Sequence, residues 1–97
     1  MKAIMIVYNQ TLSEKVEYIF TSLGLRGYTQ FNDTFGCGSI TGDPRLGTHS
    51  WPELNNVIIT IVDDEMVDRV FKMIDKIDKL NEEVGIRAFV WTVERSY

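Results

Sequence analysis

The order of secondary-structure patterns in this 97-residue chain predicts an α+β fold, a ferredoxin-like βαββαβ sandwich. Two observations carry the prediction. Two segments place apolar residues at helical spacing, and each lies between two short runs rich in strand-forming residues. Because the length is near the commonest domain size, we expect residues 1–97 to form a single domain.

The first half of the chain predicts a strand, a helix and a second strand. Residues 2–8 form an apolar run, and residues 28–34 alternate between two faces. Thr11 and Glu14 have the spacing of a capping box, so we expect Thr11 to be the N-cap of a helix that Gly24 ends. The apolar stripe of this helix comprises Leu12, Val16, Ile19, Phe20 and Leu23.

The second half repeats this order. Residues 55–62 are a β-branched run that predicts a third strand, and residues 87–93 predict the last one. Between them we expect a helix that Asp63 or Asp64 caps and that Gly85 ends. Its apolar stripe comprises Val67, Val70, Phe71, Ile74 and Ile77.

The segment that joins the two halves, residues 35–54, has no periodic pattern. Four of the seven glycines fall between Gly36 and Gly47. Segments of more than roughly 12–15 residues without secondary structure are uncommon in compact domains and are usually functional or disordered. We therefore expect the function to reside here, and residues 37–52 to be the most mobile part of the protein.

The predicted sheet has apolar residues on both of its faces. In this fold both helices cover one face, yet residues 3–7 and 57–62 are apolar at successive positions. Soluble monomers rarely expose an apolar patch of that size. The sequence therefore predicts an oligomer in which copies of the chain cover the helix-free face.

Composition excludes several classes of function. The net charge of −4 and the pI near 4.8 are unlike the basic field of a nucleic-acid binder. The single cysteine, Cys37, cannot form an internal disulfide, which fits a reducing compartment. No segment approaches the roughly 20 apolar residues of a membrane span, and the N-terminal apolar run is too short for a signal peptide. We expect a cytoplasmic protein that neither binds nucleic acid nor inserts into a membrane.

Several stretches of the chain resemble the PII signalling superfamily. Residues 23–29 (LGLRGYT) are similar to the family's L-G-[IL]-x-G-M-T segment before the second strand. The spacing of Gly36, Gly38 and Gly42 resembles the base of the family's T-loop, although Ser39-Ile40-Thr41 stands where the family usually has R-Q-K. Two further stretches that carry the resemblance are residues 61–67 (IVDDEMV) and residues 85–90 (GIRAFV).

The resemblance implies a function as well as a fold. It implies that residues 35–54 form a T-loop, that the chain assembles as a homotrimer, and that a small anionic effector such as ATP or ADP binds between subunits. It also implies that the T-loop signals to a partner protein, for example a membrane transporter, and that the protein is not an enzyme. The residues it implies for ligand binding are Gly27, Thr29, Gly36, Gly38, Gly85 and Arg87.

Physical chemistry is compatible with these residues but leaves alternatives open. Glycine backbone N–H groups can approach phosphate oxygens closely, yet the same glycines would serve a loop that only has to turn. Arg87 would bind phosphate in a forked manner, yet a lone arginine at the start of a strand is more often a solvated surface charge.

The loop also contains candidates for contact with a partner protein. Tryptophan and arginine dominate interface hot spots, although Trp51 could instead pack back on the edge of the sheet. The residues predicted to contact the partner are Thr41, Arg45, Leu46, His49 and Trp51.

Two other functions remain as alternatives to compare. Cys37 and His49 are metal-ligand types, although their spacing matches no recognised motif, and they make a metal-binding tolerance protein of the same superfamily the alternative. An acylphosphatase-type enzyme would need an arginine-bearing phosphate loop after the first strand, and residues 8–11 contain no arginine. The sequence predicts no catalytic residue.

Overall fold

The computed structural model describes residues 1–37, 44–47 and 53–97. In chain order the elements are β1 (Lys2–Asn9), α1 (Ser13–Leu23), β2 (Tyr28–Thr34), β3 (Asn55–Val62), α2 (Val67–Leu80) and β4 (Ile86–Thr92). Short 3-10 helices, Gln10–Leu12 and Asp64–Met66, precede α1 and α2. The four strands form one antiparallel sheet in the order β2-β3-β1-β4. The predicted α+β class and the βαββαβ order are confirmed.

The start of α1 differs from the prediction. Asn9 rather than Thr11 is the capping residue, because its Oδ1 accepts hydrogen bonds from the backbone N–H and the hydroxyl of Thr11, both at 2.9 Å. The 3-10 turn replaces the expected capping box, so α1 begins only at Ser13. Gly24 ends the helix as predicted, with a left-handed φ of 68° that favours glycine.

The end of α2 also differs from the prediction. The helix stops at Leu80, because the Asn81 side chain donates a hydrogen bond to the Ile77 carbonyl at 2.8 Å. Residues 81–84 then form a turn, and Gly85 leads into β4 instead of ending α2. At the other end, Asp63 is the N-cap of the 3-10 helix Asp64–Met66 that precedes α2, and its side chain makes no capping hydrogen bond. Within the described residues, neither helix is long and apolar enough to cross a bilayer.

One hydrophobic core lies between the helices and one face of the sheet. Full burial of a large apolar side chain stabilises a fold by about 1.5–3 kcal/mol. Both predicted helical stripes face this core, with Val67 and Phe71 partly buried at its margin. The buried members are Ile4, Ile6, Tyr8, Leu12, Val16, Ile19, Phe20, Ile58, Val62, Val70, Ile74, Ile77 and Ile86.

The opposite face of the sheet is largely apolar, as predicted, and no helix among the described residues lies on it. Its strand register sets side chains in rows: Ala3 lies between Ile61 and Trp91, Met5 between Ile59 and Phe89, and Val7 between Val57 and Arg87. On the edge strand β2, Thr29 faces Ile59 and Phe31 faces Val57. Phe31, Phe89 and Trp91 are each about half exposed in the single chain.

Candidate functional site

The long connection between β2 and β3 is closed at its base by a backbone bridge. Gly36 N donates to the Arg45 carbonyl at 2.8 Å, and Arg45 N donates to the Gly36 carbonyl at 2.5 Å. A Cβ at position 36 would lie 2.7 Å from the Asn55 side-chain nitrogen, so any larger residue would have to displace the Asn55 amide. The bridge therefore sets Gly36 and Arg45 side by side, against the first residue of β3.

The Arg45 side chain extends from this bridge to the turn before β4. Its Nη2 donates a hydrogen bond to the Val84 carbonyl, and the side chain is only 14% exposed. The guanidinium packs directly on Gly85, where a Cβ would lie 2.8 Å from Nη2. Gly85 also has a φ of 104°, which L side chains rarely adopt. Two independent constraints thus favour glycine at position 85.

Glu53 and two asparagines complete this end of the helix-free face. The Asn9 side-chain nitrogen donates to Glu53 Oε2 at 2.7 Å, and Asn9 N donates to the Gly85 carbonyl at 3.1 Å. Asn9 faces Asn55 across the two central strands, and both side chains are buried although they stand at the ends of their strands. The base of the loop therefore covers the last row of the sheet.

Arg87 lies one row further along the same face, opposite Val7 on β1. Its guanidinium donates to the Ile86 carbonyl at 2.7 Å and lies 3.6 Å from Asp78 on α2. The side chain is 71% exposed. Arg87 is therefore a surface cation at the edge of the sheet, two residues from the glycine that Arg45 covers.

Gly27 and Thr29 lie at the other end of β2. Gly27 is exposed, and its carbonyl accepts a hydrogen bond from the Thr60 hydroxyl at 2.6 Å. It lines a groove of about 430 Å³ that Arg26 and Ile61 also line. Thr29 is exposed on the helix-free face, opposite Ile59.

The structure therefore separates the predicted ligand residues into two groups. Gly36, Gly85 and Arg87 lie at the end of the sheet where the loop begins, together with Arg45. Gly27 and Thr29 lie toward the opposite end of β2, which at about 3.3 Å per residue spans roughly 20 Å. A small ligand cannot contact Gly27 and Gly36 of the same chain.

Several predicted residues lie outside the described ranges. These are Gly38, Thr41, His49 and Trp51. Leu46 is exposed and Cys37 is exposed. Among the residues that the structure describes, no three histidine, cysteine, aspartate or glutamate side chains are close enough together to hold a metal ion. The metal alternative depends on His49 and stays a prediction.

A polar network connects the base of the loop to the start of α1. The Gln10 side-chain amide donates to Asp33 and, at 3.1 Å, to Asn56 Oδ1, which also accepts from Asp33 N at 3.1 Å. Asp33 has a φ of 57° at an irregularity in the pairing of β2 with β3. The network thus holds the β2 strand at the point where it leaves the sheet.

Tyr8 lies beneath this network with its hydroxyl buried. Within the described residues that hydroxyl makes no hydrogen bond. Burial raises the pKa of Tyr8 above its usual value, and the nearby polar side chains of Asn56 and Ser13 act in the opposite direction. The neutral phenol is therefore the form that the fold accommodates.

Sequence patterns did not single out Asn9, Glu53 or Asn55 as site residues. The available signal was weak: two adjacent asparagines open a strand that is otherwise β-branched. A polar residue at such a position is expected to have a specific hydrogen-bond partner once it is buried.

Comparison with known proteins gives a consistent result. The whole chain, residues 1–97, matches the family model described as nitrogen regulatory protein P-II. No curated protein matches the chain.

Several solved structures have a similar fold although their sequence identity to this chain is low. CPII, a nitrogen regulatory PII-like protein from Thiomonas intermedia K12 bound to ADP, AMP and bicarbonate, has a TM-score of 0.73 and 20% identity, over 93% of this chain and 82% of that one. The structure of CPII bound to ADP and bicarbonate has a TM-score of 0.73 and 21% sequence identity, again over 93% of this chain and 82% of that one. A PII-like signaling protein from Thermus thermophilus has a TM-score of 0.65 and 23% sequence identity, over 93% of this chain and 83% of that one.

Proposed function

The chain belongs to the nitrogen regulatory protein P-II family, and from this premise we propose that it is a regulatory homotrimer that binds a small anionic effector between its subunits. In this proposal residues 35–54 act as a T-loop that signals to a partner protein, for example a membrane transporter. The protein acts by binding rather than by catalysis.

The observation that carries the proposal is the division of the predicted ligand residues between the two ends of β2. Gly27 and Thr29 of one chain can join Gly36, Gly85 and Arg87 only if these come from a neighbouring chain. The helix-free face supplies the apolar surface for such an assembly, since half-exposed aromatic residues lie on it. One contact between chains would then both bury that surface and complete the ligand site.

The chemistry of the loop end favours an anion. Arg87 and Arg45 place two guanidinium groups near Gly85, and an arginine guanidinium stays charged at any ordinary pH. CPII, which has the same fold, is bound to ADP, AMP and bicarbonate in its structures, and all three carry negative charge. We therefore take adenine nucleotides and bicarbonate as the first effectors to test.

Signalling would follow from coupling the ligand to the base of the loop. An effector that contacts Gly36 and Gly85 only in one arrangement of the loop stabilises that arrangement by its difference in affinity. Ordering a segment in this way is a common switching mechanism. Leu46, which is exposed, and Thr41, His49 and Trp51 are the loop residues that we propose contact the partner. Arg45 was also predicted to do so, but its side chain is only 14% exposed and packs on Gly85, so we leave it out of this set.

Calorimetry with ADP, AMP and bicarbonate on the wild type and on Arg87→Ala tests the proposal. Loss of a hydrogen bond to a charged group costs about 1.5–3 kcal/mol, so we expect roughly 10- to 150-fold weaker binding. Arg69→Ala, on the exposed face of α2, is the matched control that removes the same charge. Equal affinity in Arg87→Ala and Arg69→Ala would refute the assignment of Arg87, and absence of binding by the wild type would refute the effector role.

A further inference from the structure

The guanidinium of Arg45 is held by the fold but is incompletely hydrogen-bonded. Its Nη2 is bound to the Val84 carbonyl and its side chain is largely buried. Its Nε–H, also buried, makes no hydrogen bond within the described part of the chain. A buried charged donor without an acceptor is unfavourable, because it has lost its water without gaining a partner. An anion that displaces the neighbouring Glu53 side chain, which is 59% exposed, would supply the missing acceptor.

The nearest carboxylate does not satisfy this donor. Glu53 Oε2 lies 3.9 Å from Arg45 Nε, whereas hydrogen bonds between charged groups of this kind are about 2.7–2.9 Å long. The same oxygen accepts a hydrogen bond from Asn9 at 2.7 Å, and Asn9 is almost completely buried. Asn9 thus holds the Glu53 carboxylate where it neutralises part of the charge of Arg45 but lies too far away to accept a hydrogen bond from Nε–H.

The second arginine of this region is paired in the same loose manner. Arg87 Nη1 lies 3.6 Å from Asp78 Oδ1, again longer than a charge-assisted hydrogen bond. Arg87 follows Gly85 by two residues on the same face of the sheet, about 7 Å along an extended strand. Gly85 in turn carries the guanidinium of Arg45 directly on its backbone. Two arginines with loosely held carboxylates therefore flank one glycine.

Resting on the proposed function, we infer that Arg45 is a second anion-binding residue of the effector site and that Glu53 is a built-in competitor for it. An oxyanion at the Nε–H edge of Arg45 replaces the long contact with Glu53 by a short hydrogen bond. The chemical class is a compact oxyanion, either the phosphoryl group of a nucleotide or a free phosphate or bicarbonate ion. Because Arg45 also forms the bridge with Gly36, such an anion contacts the base of the loop itself.

The inference predicts opposite effects for the two members of the pair. Glu53→Gln keeps the size of the side chain and an oxygen for Asn9 but removes the competing charge, so we expect affinity for ADP to rise about three- to tenfold. Arg45→Lys keeps the charge but loses the Nε–H and the planar fork, so we expect affinity to fall at least tenfold. In the double variant the gain from Glu53→Gln disappears, because it acts through Arg45.

Matched controls separate this effect from a general change in charge. Glu82→Gln makes the same charge change in the turn before β4, at an exposed residue that makes no ion pair within the described residues. Arg69→Lys is the corresponding control for Arg45→Lys on the exposed face of α2. If Arg45→Lys does not fold, as thermal unfolding would show, the comparison of Glu53→Gln with Glu82→Gln decides alone.

Calorimetric titrations with ADP, inorganic phosphate and bicarbonate provide the measurement. A gain in Glu53→Gln with inorganic phosphate and ADP identifies a phosphoryl group as the bound oxyanion, and a gain with bicarbonate alone identifies that ion. Binding by Glu53→Gln but not by the wild type refutes the effector role of the wild type, and with it this inference. Equal affinities in Glu53→Gln and Glu82→Gln, when the wild type binds, overturn this inference and leave the proposed function intact. Absence of binding by both the wild type and Glu53→Gln overturns both.

Discussion

Replacing Ile59 by lysine is expected to separate the subunits of the proposed homotrimer while leaving each chain folded. Ile59 lies in the middle row of the helix-free face, between Met5 and Thr29, and is only partly buried in the single chain. A lysine there can direct its ammonium group to water along its flexible stem. In an isolated chain we therefore expect a cost of about 1 kcal/mol, the span of strand propensities.

The same substitution is expected to be far more costly in the proposed trimer. Each chain loses the burial of an isoleucine, about 1.5–3 kcal/mol, and the assembly brings three ammonium groups together. For an assumed separation of roughly 8 Å and an effective dielectric constant of about 20, each pair would repel by about 2 kcal/mol. The combined penalty over three subunits is on the order of 10 kcal/mol, enough to dissociate a complex at micromolar concentration.

Ile6→Lys is the matched variant on the other face of the sheet. Ile6 is completely buried beneath the helices. A buried, unpaired charge costs several kcal/mol, a large part of the about 5–15 kcal/mol that stabilises a domain of this size. We therefore expect Ile6→Lys to unfold, whereas Ile59→Lys keeps the circular dichroism of a folded chain.

Light scattering with thermal unfolding is the assay. The wild type should have three times the chain mass of 11.2 kDa, and Ile59→Lys should have the chain mass itself. A wild type of 11.2 kDa at micromolar concentration would refute the reasoning, as would an Ile59→Lys variant that remains a trimer.

Two further predictions concern stability. Gly85→Ala should lower the free energy of unfolding by about 1–3 kcal/mol, because the φ of 104° is strained for alanine and the added Cβ would meet Arg45. Gly24→Ala is the control, since its φ is 68° and a Cβ there would have no atom within 4 Å. It should lower the free energy of unfolding by the backbone part alone, about 1 kcal/mol. Equal losses in thermal unfolding would contradict the contact with Arg45. Tyr8→Phe should be neutral or stabilising by up to about 1 kcal/mol at pH 7, because its hydroxyl makes no hydrogen bond within the described residues. Since burial raises the pKa of Tyr8 in the fold, the wild type should lose stability as the pH rises above about 10, and Tyr8→Phe should lose less. If Tyr8→Phe were less stable than the wild type by more than about 1 kcal/mol at pH 7, the Tyr8 hydroxyl would have to make a hydrogen bond.

Elements with a strong local pattern were predictable from sequence. The bounds predicted for β2 and β3 are those that the structure has, because alternation and β-branching act over neighbouring residues. The ends of the helices were less predictable, since several residue types compete for each cap. Asn9 took the capping role from Thr11, and Asn81 ended α2 before Gly85 could.

The site was predictable only in the part that resembles family motifs. Gly36, Gly85 and Arg87 could be named because glycine spacing and a following strand mark them in the sequence. The contact of Arg45 with Val84 joins residues 39 positions apart, and no local pattern reports such a pair. The same holds for Glu53 and Asn9, which are 44 positions apart. These contacts depend on the assembled four-stranded sheet, which only the folded chain has.

The length of β2 has a consequence for how the protein responds to its own concentration. Because that strand keeps Gly27 away from Gly36, a ligand site of the proposed kind exists only where two chains meet. The number of sites then equals the number of interfaces: a closed ring of three chains has three, whereas an open row of three has two. By mass action the effector also stabilises the ring against dilution. Apparent affinity should therefore fall as the protein is diluted toward the dissociation constant of the assembly, so that ligand binding reports the quaternary state as well as the effector.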